Sequence, residues 1–220
     1  MMHESINNIN IIKSQIIEEL KKLNNNEFPK IIAVSKTFPI EKIEPLLNHG
    51  HTHFGENKVQ EAILKWSNVK SKNENLKLHL VGKLQTNKTK QAINLFDYIH
   101  SLDSIKLANE ISKQQKKINK KPKLFIQINI GNEQQKSGIN KNELVDFYNV
   151  CKELELDVVG LMCLPPLGGD LDNYFSEMKE LINKLNLKEL SMGMSDDYLI
   201  ALRHSSTFLR IGTKIFGARS

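Results

Sequence analysis

The chain has 220 residues, enough for one well-packed domain, and 31 Lys and Arg against 25 Asp and Glu give a formal charge of +6. The basic residues are scattered Lys, often beside Glu as on solvated helical faces, with no RNA-binding aromatic motif, zinc-finger spacing or arginine-rich arm; nucleic acid is therefore not an expected partner. A polar start, no apolar run of membrane-spanning length and only 2 cysteines, Cys151 and Cys163, argue against secretion, membrane insertion and a disulfide framework, and lead us to expect a reduced, cytoplasmic setting.

A first helix is predicted over residues 4–23, where Ile9, Ile12, Ile16 and Leu20 recur at helical spacing. The strand IIAVS (31–35) precedes a helix at 40–49, and THFGE (52–56) precedes one at 57–66. Strands at 76–82 and 97–102 follow, then a helix at 104–118, a strand at 123–130 and a helix at 141–154. A strand at 157–163, a helix at 170–185 and strands at 189–194 and 207–212 complete the pattern. The strands are near-continuous apolar runs, as expected of parallel strands buried on both faces. Eight of them in βα alternation predict an α/β fold: a closed (β/α)8 TIM-type barrel with an extra N-terminal helix, rather than an open doubly wound sheet. With no linker or repeat, and a chain that stops soon after the last strand, residues 1–220 are expected to form a single domain. Function in such a barrel belongs at the C-terminal ends of the strands.

Several strand ends have residues suited to chemistry. Ser35-Lys36-Thr37-Phe38-Pro39 follows the first strand. A Lys there either ends the strand by reaching solvent or has a task, since burial and nearby cations free an amine to attack a carbonyl. Arg210-Ile211-Gly212-Thr213 ends the eighth strand. Arg210 and Gly212 share a face, so Arg210 either points inward at a ligand or closes the barrel with an ion pair. The chain has Arg only at 203, 210 and 219, and a chain that otherwise uses Lys keeps Arg where a planar fork matters. The Gly212 amide and Thr213 hydroxyl suit an anion, and barrels often bind phosphate after strands seven and eight. Met194-Ser195-Asp196-Asp197 reads as a helix N-cap at Ser195, with anion binding as the alternative.

Asn57, after the second strand, either caps the next helix or reaches the barrel mouth. His49, His51 and His53 raise the thought of a metal, but His49 falls on a helix and no carboxylate or Cys completes the set. His79 and His100 lie inside strands, as core or rim residues. Gly82 to Lys88 and Lys136-Ser137-Gly138 read as polar loops at the barrel top, and Met162, Pro165 and Pro166 as packing around the loop after strand six.

Taken together and in order, AVSKT, FGENKVQEA, HLVGKLQTNK, HSLDS, QINIGNEQQKSG, GLMCLPP, LSMGMSDD and RIGTKIFGAR resemble the pyridoxal phosphate homeostasis protein family, also called the YggS/PROSC type, from about Ile31 to Arg219. That resemblance implies the barrel of the alanine racemase N-terminal domain without a racemase's second domain. It also implies pyridoxal 5′-phosphate held covalently as a Schiff base on Lys36, with its phosphate at Ser195, Gly212 and Thr213. Arg210 then faces the pyridine nitrogen, and Asn57 and Met194 line the pocket. Where the family reads Gly-Ser-Thr before the last strand, this chain has Ser205-Ser206-Thr207, so no phosphate contact is carried over to Ser206.

The expected role is an intracellular pyridoxal phosphate carrier in homeostasis, without catalysis, passing its cargo to apo forms of pyridoxal phosphate enzymes and working as a monomer. The alternatives are a pyridoxal phosphate-dependent amino-acid racemase or decarboxylase, and a Schiff-base aldolase that uses Lys36 without the cofactor. A cation at the ring nitrogen disfavours ring protonation and makes a poorer electron sink than a carboxylate there, which favours the carrier.

Overall fold

A computed structural model describes residues 2–133 and 135–218; Arg219, the end of the IFGAR motif, lies outside them. Eight parallel strands close into a barrel in chain order. They are β1 (Lys30–Val34), β2 (His53–Glu56), β3 (Lys77–Leu80), β4 (Tyr98–Leu102), β5 (Lys123–Ile128), β6 (Val158–Cys163), β7 (Glu189–Ser191) and β8 (Phe208–Ile211). The barrel closes where β1 pairs with β8, Ile32 opposite Arg210 and Ala33 opposite Ile211.

The long helices follow from the sequence pattern. They are α1 (Glu4–Lys22), α2 (Ile40–Asn48), α3 (Val59–Ser71), α5 (Ile105–Ile118), α6 (Leu144–Glu153) and α7 (Leu171–Leu185), with α4 (Thr89–Leu95) between β3 and β4. Two short helices, α8 (Tyr198–Arg203) and α9 (Thr213–Phe216), flank β8. Helices α5 and α7 begin at N-caps Ser104 and Asp170, whose side chains accept from Leu107 N and Asn173 N. Both end on an Asn in the left-handed region, Asn119 and Asn186, one of the few non-glycine residues that adopt it at modest cost. The extra helix α1 docks on α8 and α9 through Arg203 Nε to Glu19 Oε1 (2.6 Å), Asn8 Nδ2 to Ile215 O (3.1 Å) and the Tyr198 hydroxyl to Gln15.

Several strands leave the ladder sooner than their apolar runs suggest. The run 189–194 pairs only as far as Ser191, because Gly193 turns the chain at φ +87 and its missing Cβ would lie 2.6 Å from that of Ala201. The run 123–130 pairs as far as Ile128, after which Asn129 closes a loop on Glu133 through both its side-chain oxygen and nitrogen.

Two hydrophobic regions result. The larger lies between strands and helices. The smaller fills the barrel itself with Ile32, Val34, Phe125, Met162 and Phe208, flanked by Val81, Tyr98 and Val159. Phe208 sits edge-on to Phe125, with ring centres 5.2 Å apart, and tilted against Tyr98 at 5.6 Å.

Candidate functional site

At the C-terminal mouth a cavity of about 430 Å³ is lined by Lys36, Asn57, Met194, Ser195, Arg210, Gly212 and Thr213, all seven residues singled out from the sequence. Val34, Phe38, Val81, Gly82, Leu164 and Asp196 complete its walls. Its size is that of a small-molecule site.

Lys36 follows β1 in a sharp turn. Ser35 N still donates to Gly55 O at 2.9 Å, while Thr37 takes φ +68 and Phe38 N returns to Ser35 O at 3.2 Å. The turn is tied down from below by Glu56, which is fully buried. Its Oε1 accepts from Ser35 Oγ (2.8 Å), Lys65 Nζ (2.8 Å) and Trp66 Nε1 (2.9 Å), and Lys65 also donates to Ser35 O (2.9 Å). Sequence reasoning noticed Asn57 in FGEN but missed Glu56. The signal was a carboxylate at the end of a strand expected to be buried, nine residues before a Lys and ten before a Trp.

Asn57 does not cap α3: the cap position is Lys58, without a side-chain hydrogen bond. It lines the mouth instead, with its Oδ1 buried and unpartnered among the described residues. The loop after β3 passes so close that a Cβ on Gly82 would lie 2.2 Å from Asn57 O.

Ser195 is likewise not the cap of its helix. Asp197 holds that position, and its Oδ1 accepts from Met194 N at 2.5 Å. Ser195 Oγ faces the β8 side, where Gly212 N and Lys214 N donate to it at 3.3 and 3.4 Å. Thr213, between those amides, is exposed at the cavity, and Met194 is 39 % exposed at the rim. Ser206 lies at the opposite end of the barrel, where its Oγ donates to Met192 O (2.8 Å), and it takes no part in this cavity.

Arg210 is 4 % exposed. It does not close the barrel with an ion pair; it is held by neutral oxygens. Nη1 donates to Ser191 O (2.5 Å) and Ser191 Oγ (2.8 Å), and Nη2 donates to Cys163 O (2.8 Å). Among the described residues no carboxylate lies within ion-pair distance of it. Burial pulls its pKa below the ordinary value, and the negative charge of Asp197 opposes that. A guanidinium stays charged even so. Cys163, beside it, has its thiol pushed up to about 12 by burial and is an inert core group.

The histidines run through the barrel rather than around a metal. His49 caps the end of α2, and His51 Nε2 lies 2.9 Å from His53 O. His53 Nδ1 meets His79 Nε2 at 2.9 Å, and His79 Nδ1 meets His100 Nε2 at 2.9 Å. His100 Nδ1 reaches Ser191 Oγ at 2.8 Å, the same oxygen that Arg210 uses. Among the described residues no cluster of three His, Cys, Asp or Glu is arranged to hold a metal ion, and no helix is long and apolar enough to cross a membrane.

A parallel eight-stranded barrel with Lys36 after strand one, Arg210 on strand eight and the Ser195 hydroxyl meeting two amides at its mouth is a protein of the alanine racemase N-terminal class. The family model described as alanine racemase, N-terminal domain, matches residues 12–220. The pyridoxal phosphate homeostasis protein of Pasteurella multocida is 40 % identical over 201 residues, 86 % of either chain. That of Haemophilus influenzae is 39 % identical over 226 residues, 97 % of this chain and 95 % of the other. The solved structure of PipY from Synechococcus elongatus PCC7942 with PLP bound superimposes with a TM-score of 0.78 at 35 % identity, covering 92 % of this chain and 100 % of PipY. The chain belongs to the pyridoxal phosphate homeostasis protein family.

Proposed function

We propose that the chain binds pyridoxal 5′-phosphate in the mouth cavity, tethered to Lys36, and serves pyridoxal phosphate homeostasis as a carrier rather than an enzyme. The observation that supports this most is the setting of Arg210: a buried cation at the cavity wall, held among the described residues by neutral oxygens. Three of its five N–H groups are used on the protein, leaving donors for a ligand. A fixed cation beside the ring nitrogen disfavours protonation there, and an unprotonated ring draws electrons poorly from a bound amino acid.

The remaining residues fit the ligand. Bound pyridoxal phosphate supplies an aldehyde, with which Lys36 Nζ condenses as water leaves. Ser195 Oγ, the Gly212 and Lys214 amides and Thr213 hold the phosphate, and the Ser195 hydroxyl turns from accepting those amides to donating. The buried Asn57 Oδ1 takes a donor from the ligand, and Met194 covers the rim. The names of the relatives and the PLP-bound PipY structure support the same reading. Apo forms of pyridoxal phosphate enzymes are the proposed recipients and a monomeric, one-domain protein the proposed carrier. Two free, buried cysteines support a reducing, cytoplasmic compartment.

The test incubates purified, loaded protein with L- and D-amino acids, followed by chiral chromatography, and in parallel with an apo-enzyme. Transfer without turnover is expected. Lys36-dependent turnover at ordinary enzymatic rates, on the order of 1 s⁻¹ or faster, would replace the carrier with a racemase or decarboxylase.

A further inference from the structure

Histidines 53, 79 and 100 lie on three successive strands, each ring joined to the next, and the row ends on Ser191 Oγ beside Arg210. The direction of its hydrogen bonds follows from the last member. A guanidinium only donates, so Ser191 Oγ accepts from Arg210 Nη1. The Ser191 proton then goes to His100 Nδ1, 2.8 Å away. His100 is left with its proton on Nε2, which donates to His79 Nδ1, and His79 Nε2–H donates in turn to His53 Nδ1. The reverse direction leaves the Ser191 proton without an acceptor among the described residues.

The ring planes are fixed as well. His79 stacks on Tyr98 at 4.3 Å and 8°, and His100 stacks on Phe125 at 4.3 Å and 11°. The row is no proton channel into the mouth, because its final member cannot release a proton.

We propose that His53, His79, His100 and Ser191 are positioning residues: they form a one-directional row, every imidazole in the Nε2–H tautomer, that fixes Arg210 as the cation of the mouth cavity. The role toward pyridoxal phosphate rests on the function proposed above; the tautomers do not.

The first experiment needs no ligand. Two-bond ¹H–¹⁵N correlation on ¹⁵N-histidine-labelled protein near neutral pH, assigned by single His→Gln replacements, reads each ring. Neutral Nε2–H rings are expected at 53, 79 and 100; an Nδ1–H ring or an imidazolium at any of them overturns the row. The second compares His100→Phe, which keeps the stack on Phe125 but breaks both hydrogen bonds, with His100→Gln, which offers an acceptor and a donor. His100→Phe is expected to weaken pyridoxal phosphate binding about tenfold and give the bound ligand a pH-dependent absorbance, while His100→Gln stays within about twofold of the parent. Folded His100→Phe protein that matches the parent in affinity and spectrum overturns the positioning role. If His100→Phe does not fold, Ser191→Ala takes its place under the same expectations. A parent protein that takes up no pyridoxal phosphate sinks the proposed function and leaves the tautomers to decide the row.

Discussion

Ser195→Ala separates the folding role of the anion corner from its ligand role. In the protein alone Ser195 Oγ receives two amides at 3.3 and 3.4 Å, both at the long end of the hydrogen-bond range. Removing such bonds at a partly open site costs less than about 1 kcal/mol, or a fall of roughly 2–4 °C at most in Tm for a chain of this size. The phosphate loses much more, because a hydrogen bond to a charged group contributes about 1.5–3 kcal/mol, which is roughly ten- to hundredfold in Kd. Unphosphorylated pyridoxal keeps its aldehyde and ring but has nothing to lose at this corner, so its affinity should change by less than about twofold. Absorbance titrations of parent and variant with both ligands give the comparison. Equal losses for the two ligands would show that Ser195 does not hold the phosphate, and a large fall in Tm would show that its two amide bonds matter more to folding than their lengths indicate. Thr213→Val, at an exposed position between the same amides, should behave in the same way with even less effect on Tm.

Borohydride reduction of loaded protein followed by peptide mapping should place the adduct on Lys36 and find none in Lys36→Ala; an adduct on another Lys with Lys36 unmodified would refute the tether. Ser205 holds φ +65, a region that Gly adopts without steric cost, so Ser205→Gly should stabilise by about 0.5–1 kcal/mol, read as a raised urea midpoint, and an unchanged or lowered midpoint would contradict the strain argument. Gly82→Ala would force its Cβ to within 2.2 Å of Asn57 O; a destabilisation of roughly 1–3 kcal/mol with weakened ligand binding is expected, and a neutral result would mean that the loop gives way easily. Burial pushes His79 and His100 well below 6.5, and burial with nearby Lys30 and Lys77, against Asp97, puts His53 at about 4. The unfolded chain therefore binds these protons first. Stability is complete above about pH 6.5 and falls toward pH 4, by at most about 1.4 kcal/mol per pH unit for each histidine. Urea unfolding across that window should show the slope, and a flat profile would argue against buried neutral rings.

The barrel was legible because short apolar runs such as IIAVS and LFI recur between helical stretches. The site was legible because function in such a barrel sits at strand ends, and Lys36, Asn57, Ser195 and Arg210 all stand there. The short helices were not: α4 has seven residues and α9 four, too few for a 3.6-residue period to declare itself. Ser195 looked like a cap because an Asp follows it twice, but backbone turning at Gly193 gives the cap position to Asp197 and sends the Ser195 hydroxyl across to β8. The row of histidines was beyond a one-dimensional reading. His53, His79 and His100 are 26 and 21 residues apart, and only the stagger of closed parallel strands brings their nitrogens into line.

Arg210 shows how a cation can be kept inside a barrel without being neutralised. Removing a guanidinium from water is costly, and the common remedy is a carboxylate at ion-pair distance. Such a partner would satisfy the charge and also cancel its field at the cavity. Here Asp197, which draws the Arg210 pKa up, is itself held by Met194 N, and the direct partners are the carbonyls of Ser191 and Cys163 and one hydroxyl. Dipoles solvate the guanidinium but leave its net positive charge acting on whatever occupies the mouth, and a low-dielectric surround strengthens that action. Arg210 only donates and cannot take the Ser191 proton; giving that proton to His100 extends the same polarity across the barrel to His53. On the carrier reading this arrangement has a direct chemical use. A ring nitrogen facing an uncancelled cation stays unprotonated, the electron sink stays weak, and a ligand joined to Lys36 is held for release instead of being put to work on an amino acid.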